Sequence, residues 1–327
     1  MKNAKLFLKL YEEKVEDCFK QWGYYYPPKT WDEFYAQNTK IFNKHLKENK
    51  DDIVKTKCYV SLLDVTKDFG FYIALQKLDY EYLNNVMYQT SRQRLLNSGM
   101  TAGGDHNSLL FYATNSFSCN DFEIIDHFFP RNLQHSEGKY YTVVSVNLLK
   151  VLYFKETELK EEALKNADIF LSGKITLWEK YVVLYFKALI NLNEEEASNC
   201  LQELCLAYQK IGHNVGKLAN KLEKCFASEI HGLYRFARII NQDLFNNITQ
   251  PKHHCFFEGF ELWQKENNYP KGKLFYKYPE EMDYMNKIFE AELPTVTLHN
   301  PYPYKNKLYS DADKFAIDLT ENVRKIL

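Results

Sequence analysis

Residues 176–211 read Thr176-Leu-Trp-Glu-Lys-Tyr-Val-Val-Leu-Tyr-Phe-Lys-Ala-Leu-Ile190-Asn-Leu-Asn193-Glu-Glu-Glu196-Ala-Ser-Asn-Cys200-Leu-Gln-Glu-Leu-Cys205-Leu-Ala-Tyr208-Gln-Lys-Ile211. The first half, over 176–191, is apolar on every side from Trp178 to Ile190. In the second half Ala197, Cys200, Leu201, Leu204, Cys205, Tyr208 and Ile211 recur at steps of three and four, with Asn193 and Glu196 placed to cap the segment. A helix that is hydrophobic all round is sandwiched between neighbours, whereas one with a single apolar stripe lies on the outside. The two segments, separated by a short polar turn, therefore predict one helical hairpin with an inner and an outer member.

The same alternation extends upstream. Residues 141–154 are apolar nearly all round (Val143, Val144, Val146, Leu148, Leu149, Val151, Leu152), and 158–171 carry one face of Ala163, Leu164, Ala167, Phe170 and Leu171. Earlier still, 107–117 form an apolar helix, and Asn120 with Glu123 caps a second that ends at Pro130. A further pair is expected at 216–227 and 229–241. A period of roughly 36–40 residues per pair is what a stack of helical hairpins requires. The tetratricopeptide consensus is absent, and the twice-occurring Val-Leu-Tyr-Phe-Lys falls at different places in its two hairpins. We expect 141–154 and 176–191 to be the most buried helices.

The N-terminal third is also helical in pattern. A first amphipathic helix covers about 3–21 and stops at Gly23-Tyr-Tyr-Tyr-Pro-Pro28, because consecutive prolines cannot continue a helix. Thr30 caps a second, with Glu33 as its box partner. Asp51 or Asp52 opens a third that ends near Gly70, and more helical pattern runs from Leu75 to Leu96. The glycine-rich stretch Ser98-Gly-Met-Thr-Ala-Gly-Gly-Asp105 lacks both phosphate-binding glycine fingerprints. It is expected as a flexible connection between an N-terminal helical bundle (1–100) and a hairpin array (101–327), or as a loop within one continuous domain.

Composition agrees. Hydrophobic residues are 45% of the 327 and aromatics 16%, ample for a packed core, while only 12 Gly and 9 Pro are present. The expected fold class is all-α, an array of stacked antiparallel hairpins with a Pro/Tyr-rich C-terminal segment. Lys and Arg (42) balance Asp and Glu (43), so the basic excess of a nucleic-acid binder is missing. A first helix whose lysines are balanced by Glu12, Glu13, Glu16 and Asp17, followed by the Tyr-Tyr-Tyr-Pro-Pro break, does not suit a DNA-reading helix-turn-helix. Seven widely spaced cysteines without a C-x-x-C point to reduced core thiols. The first ten residues do not make a signal peptide, and no apolar run approaches the ~18 residues of a membrane span. A cytoplasmic protein with no membrane partner is expected.

The catalytic templates are not met: no G-x-S-x-G, H-E-x-x-H or kinase set occurs, and no His follows a Glu by three residues. Glu123 and His127 stand four apart, without a nucleophile, and read as an ordinary helical pair. His253-His254-Cys255 point in different directions and cannot by themselves close a tetrahedral site; they need ligands from elsewhere. No enzyme activity, cofactor or metal is expected. What remains is surface. Helical arrays present ridges and concave faces that bind proteins or peptides. The Pro/Tyr segment 267–304 either adds contact area or clamps an extended loop to the core. Within it His299, Tyr302 and Tyr304, beside Pro301 and Pro303, are the candidate partner-binding residues.

Three stretches carry a family likeness: Gly104-Asp-His-Asn-Ser-Leu-Leu-Phe-Tyr-Ala-Thr-Asn-Ser-Phe117, Asn120-Asp-Phe-Glu-Ile-Ile-Asp-His-Phe-Phe-Pro130, and Leu184-Tyr-Phe-Lys-Ala-Leu-Ile-Asn-Leu-Asn-Glu-Glu195. In these, and over about 104–240, the chain resembles the immunity protein 49 family of bacterial polymorphic toxin systems. The resemblance implies an all-helical, cytoplasmic, non-enzymatic protein that neutralises a cognate toxin by binding it. It offers no motif from which contact residues transfer. The contrasting expectation is a helical-repeat scaffold or peptide-sensing regulator.

Overall fold

A computed structural model describes residues 2–23, 27–63, 67–101, 104–135, 140–211, 221–305 and 308–327. Among them the chain is all-α, with sixteen α-helices and two strands of two residues each. The hairpin that opens the sequence argument is present. Leu177–Ile190 starts on a capping box in which Thr176 and Glu179 satisfy each other's backbone N–H groups. Glu194–Lys210 starts on Asn193, whose Oδ1 accepts from the Glu196 N–H at 3.0 Å. Leu192 takes a left-handed φ of 52° to turn the chain between them. The Tyr141–Tyr153 helix packs on Leu177–Ile190 and on its own outer partner, Lys160–Leu171.

The deepest helix is a different one. From Ser228 to Ala237 every residue of the Ser228–Ile240 helix is buried, a longer unbroken run than the Val143–Val151 stretch of Tyr141–Tyr153 or any within Leu177–Ile190. Its polar positions Glu229, His231 and Arg235 imitate a solvated face in the sequence, but they point into the protein and are satisfied there. The helix crosses Leu110–Phe117 at Gly232, where an added Cβ would lie 1.8 Å from the Thr114 carbonyl oxygen. Only glycine permits that approach. The hairpin stack thus gives way, beyond residue 210, to helices gathered around a central rod.

Several boundaries differ from the sequence pattern, each for a local reason. Thr30 and Asp51 cap as expected. The third helix, however, ends at Leu62, and Gly70 lies inside a separate helix, Lys67–Lys77. Leu78 breaks that one with a φ of 53°, and Asp79 then accepts from the Tyr82 N–H to start Tyr80–Thr101. Ser98, Gly99 and Met100, expected in a flexible connection, continue that helix. Gly99 is needed for packing: a Cβ there would meet the Phe315 ring of the C-terminal helix Ala312–Arg324 at 2.7 Å. Asn120 does not cap. It sits at φ 60°, and its amide donates to Gln264 and to the Pro270 carbonyl. Of the helix expected at 216–227, residues 216–220 lie outside the described residues, and 221–227 is not an α-helix but a turn with the 3-10 segment Glu223–Cys225.

One apolar core runs through the described chain, from Phe7 and Tyr11 in the first helix to Leu319 and Val323 in the last. Ala312–Arg324 packs on both Asp52–Leu62 and Tyr80–Thr101, so the C-terminal helix is built into the N-terminal third. No described helix is long and apolar enough to cross a membrane.

Candidate functional site

The Pro/Tyr segment divides into two parts with opposite roles. Residues 269–278 are a clamp. They lie extended along the Tyr80–Thr101 helix, whose side-chain amides supply the partners that a sheet would otherwise provide. The Gln89 Oε1 accepts from the Phe275 and Tyr276 N–H groups at 3.0 Å each, and its Nε2 donates to the Tyr276 carbonyl at 2.9 Å. Asn84 donates to the Pro270 carbonyl, and Asn85 accepts from the Lys273 N–H. Gly272 makes the close approach possible, since a Cβ there would stand 2.4 Å from that of Tyr88. The Tyr276 ring stacks on Trp31 at 5.3 Å, and the Tyr278 hydroxyl donates to the Leu63 carbonyl. These tyrosines hold the segment to the core.

Charges secure the same crossing. Arg92 donates through two nitrogens to Asp121 (2.5 and 2.7 Å) and also to Glu123, while Lys271 of the clamp pairs with Asp121 at 3.3 Å and Glu123 at 2.6 Å. Burial alone would raise the Glu123 carboxyl, but hydrogen bonds from Lys271 and Arg92 bring it down to about 2. Glu123 is therefore occupied by two cations, and His127 instead lies 3.3 Å from the Thr295 hydroxyl. They do not form an acid–base pair.

Residues 298–305 and 308–310 are a display. Leu298–His299 pairs antiparallel with Tyr309–Ser310, in the register Leu298 to Ser310 and His299 to Tyr309. The base of this hairpin is tied down by the Ser310 N–H and hydroxyl, both donating to the Gly104 carbonyl, and by the Asp311 N–H donating to that of Thr297. At the tip, Asn300 accepts from the Tyr302 N–H, and Pro303–Lys305 form a 3-10 turn. Tyr302 (45% exposed) meets Tyr304 (80% exposed) edge-on at 6.0 Å and Tyr309 at 6.1 Å. The candidates Tyr302 and Tyr304 thus come together. His299 stands apart at the base, its Nδ1 3.8 Å from Asp311. Sequence inspection missed two members: Tyr309, which supports the aromatic pair, and exposed Leu308. Leu308 lines an open groove with Leu133, Val296 and Leu298. Strand pairing this short leaves no alternation for a sequence to show.

The central helix carries the deepest ionisable cluster. Arg235 grips Glu261 with two hydrogen bonds of 3.0 Å and donates to the Ser118 carbonyl at 2.8 Å. The His231 Nδ1 faces Glu261 at 2.5 Å, and its Nε2 accepts from the Phe257 N–H, which fixes the neutral Nδ1–H tautomer. Burial lowers the His231 pKa. Burial would raise Glu261, but Arg235 and then His231 hold it below its ordinary value. The ring also lies flat on Phe256 at 4.0 Å. All three side chains are enclosed and committed to one another, so the cluster locks two helices and a loop together.

The His253-His254-Cys255 stretch gains a ligand type from elsewhere. The structure brings Cys205, from the inner stripe of Glu194–Lys210, against His253 and Cys255, while His254 lies beside His253 with ring centroids 4.1 Å apart. Nothing in the sequence pairs residue 205 with residue 253; that contact belongs to the tertiary fold. No family model, curated protein or solved structure matches this chain significantly.

Proposed function

We propose that this chain works by binding another protein, and that the partner is a toxin which it neutralises in the cytoplasm. The observation that carries the binding proposal is the strand pair of Leu298–His299 with Tyr309–Ser310, and Tyr302 and Tyr304 beyond it. Two tyrosines are held toward solvent by an Asx turn, a 3-10 turn and a base anchored on Gly104. Large aromatic groups with little conformational entropy left to lose are the usual energetic anchors of protein interfaces. The second half of the same Pro/Tyr segment thus presents aromatic surface for recognition while the first half holds it in place.

The narrower proposal of an immunity protein rests on the resemblance of residues 104–240. A net charge of −1 suits a partner recognised by local shape and aromatic contact more than one steered by a long-range field. Inhibition of a toxin needs about 1,200–2,000 Å² of total buried area. The tip is one place for the centre of such a patch, and the hairpin ridges, with exposed Ile169, Leu177 and Leu192, are the alternative. The mode of action is occlusion, with no catalytic step.

The test is co-expression with the product of the gene adjacent to this chain's, which the proposal expects to be the toxin. Wild type is expected to restore growth and to co-purify with the toxin, and Tyr302→Ala/Tyr304→Ala to lose both while remaining folded. Co-purification without protection would favour the scaffold or peptide-sensing reading. Failure of the wild type to bind any neighbouring gene product would end the immunity reading.

A further inference from the structure

Three soft or borderline ligand atoms converge on one point between the Glu194–Lys210 helix and the loop 249–257. The sulfurs of Cys205 and Cys255 and a ring nitrogen of His253 all lie within 4.8 Å of one another. The His253 Nδ1 is 3.0 Å from the Cys255 sulfur. Both sulfurs are buried, whereas His253 is half-buried and lines an open groove with Lys252, His254 and Phe257. Among the described residues no fourth protein ligand joins them.

The surroundings hold these atoms in place. The loop is fastened to the helix by the Thr249 N–H donating to Ser198 and the Lys252 N–H donating to Gln202, both at 2.9 Å. The Cys255 carbonyl accepts from the Ala227 N–H at 2.9 Å, and a turn closes from the Phe256 N–H to the His253 carbonyl. The His253 Nδ1 accepts from the Cys255 N–H at 3.3 Å and lies 3.0 Å from the Cys255 sulfur, so this ring nitrogen is on the side of the thiol.

We propose that Cys205, His253 and Cys255 bind a thiophilic divalent cation, with zinc as the natural fit, and that the ion clamps the helix to the loop. Zinc accepts two thiolates and an imidazole in a tetrahedral site whose fourth position water can fill from the groove. On binding, each thiol gives one proton to solvent, and two thiolates cancel the charge of the dication. A neutral cluster is what a buried position tolerates best.

The experiment uses the full chain, purified under reducing conditions without chelator. Metal analysis is expected to give one zinc per chain. Replacement by cobalt(II) is expected to produce the sulfur-to-metal charge-transfer band and the strong visible absorption of a tetrahedral thiolate site. Cys205→Ser and His253→Asn should each weaken zinc binding by about 100-fold or more, beyond the range seen for outer-shell changes. His254→Asn should bind as wild type does. His253 is half exposed, so its variant tests the site even if Cys205→Ser unfolds. Fully reduced wild type that gives no charge-transfer band with cobalt overturns the proposal. So does zinc binding that survives both ligand substitutions, or a Cys205–Cys255 disulfide in a chain that takes up no metal after reduction.

Discussion

Gly232 stands so close to Thr114 that a Cβ would fall 1.8 Å from the threonine carbonyl oxygen. The two helices meeting there, Ser228–Ile240 and Leu110–Phe117, make one of the closest associations in the molecule. The obstruction is backbone, so no rotamer change relieves it. Gly232→Ala is expected to cost about 3 kcal/mol or more, at the upper end of overpacking effects, measured as a lowered urea midpoint. An unchanged midpoint would mean that the crossing is looser than described.

Gln89 replaces a missing strand for the clamp segment. Gln89→Leu keeps most of the volume but strands two N–H groups and one carbonyl, those of Phe275 and Tyr276. A loss of about 3 kcal/mol is expected, since each buried unpaired group costs roughly 1–3 kcal/mol. Amide hydrogen exchange gives the specific signature. Residues 275 and 276 should exchange much faster, while amides of Leu177–Ile190 should slow or quicken only with global stability.

Acid should destabilise the protein in a definable window. Burial pushes the His106 pKa down from 6.5 to about 4, against the opposing effect of Asp105. Above about pH 6.5 the ring is neutral in both folded and unfolded chains and adds no pH dependence. Between about 6.5 and 4 the unfolded chain takes up a proton that the folded protein refuses, so stability falls as pH drops; below 4 the loss levels off. The lowered His231 pKa acts in the same direction. His106 should contribute on the order of 2–3 kcal/mol to the loss. His106→Asn should remove that part of the slope in urea melts taken from pH 7 to pH 4, and an unaltered slope would refute the assignment.

The apolar periodicity of 141–154, 158–171, 176–191 and 193–211 was enough to place four helices and their inner and outer roles. In those segments the hydrophobic pattern and the burial coincide. The Ser228–Ile240 helix was legible as a helix but not as the central one, because Glu229, His231 and Arg235 look like a wet face and find their hydrogen-bond partners in other elements, Asn115 and Ser118 more than a hundred residues away among them. Gly99 and Gly272 look like loop glycines and are packing glycines, a distinction that depends on what stands opposite. At the hairpin, Tyr302 and Tyr304 were found through their prolines. At the thiol cluster, the sequence held His253 and Cys255 but not Cys205, which lies some fifty residues away on the stripe of another helix.

The central claim is that the anchored tyrosine pair binds a protein partner, and calorimetric titration against the purified product of the adjacent gene, the proposed toxin, tests it most directly. Truncating interface anchors costs about 2 kcal/mol or more each, so Tyr302→Ala/Tyr304→Ala should weaken binding by about 100-fold or more. The exposed side chains make few core contacts, so the melting temperature should stay within a degree or two of wild type. Wild-type affinity in the double variant would contradict the account and move recognition to the helical ridges, and absence of binding by wild type would remove its premise.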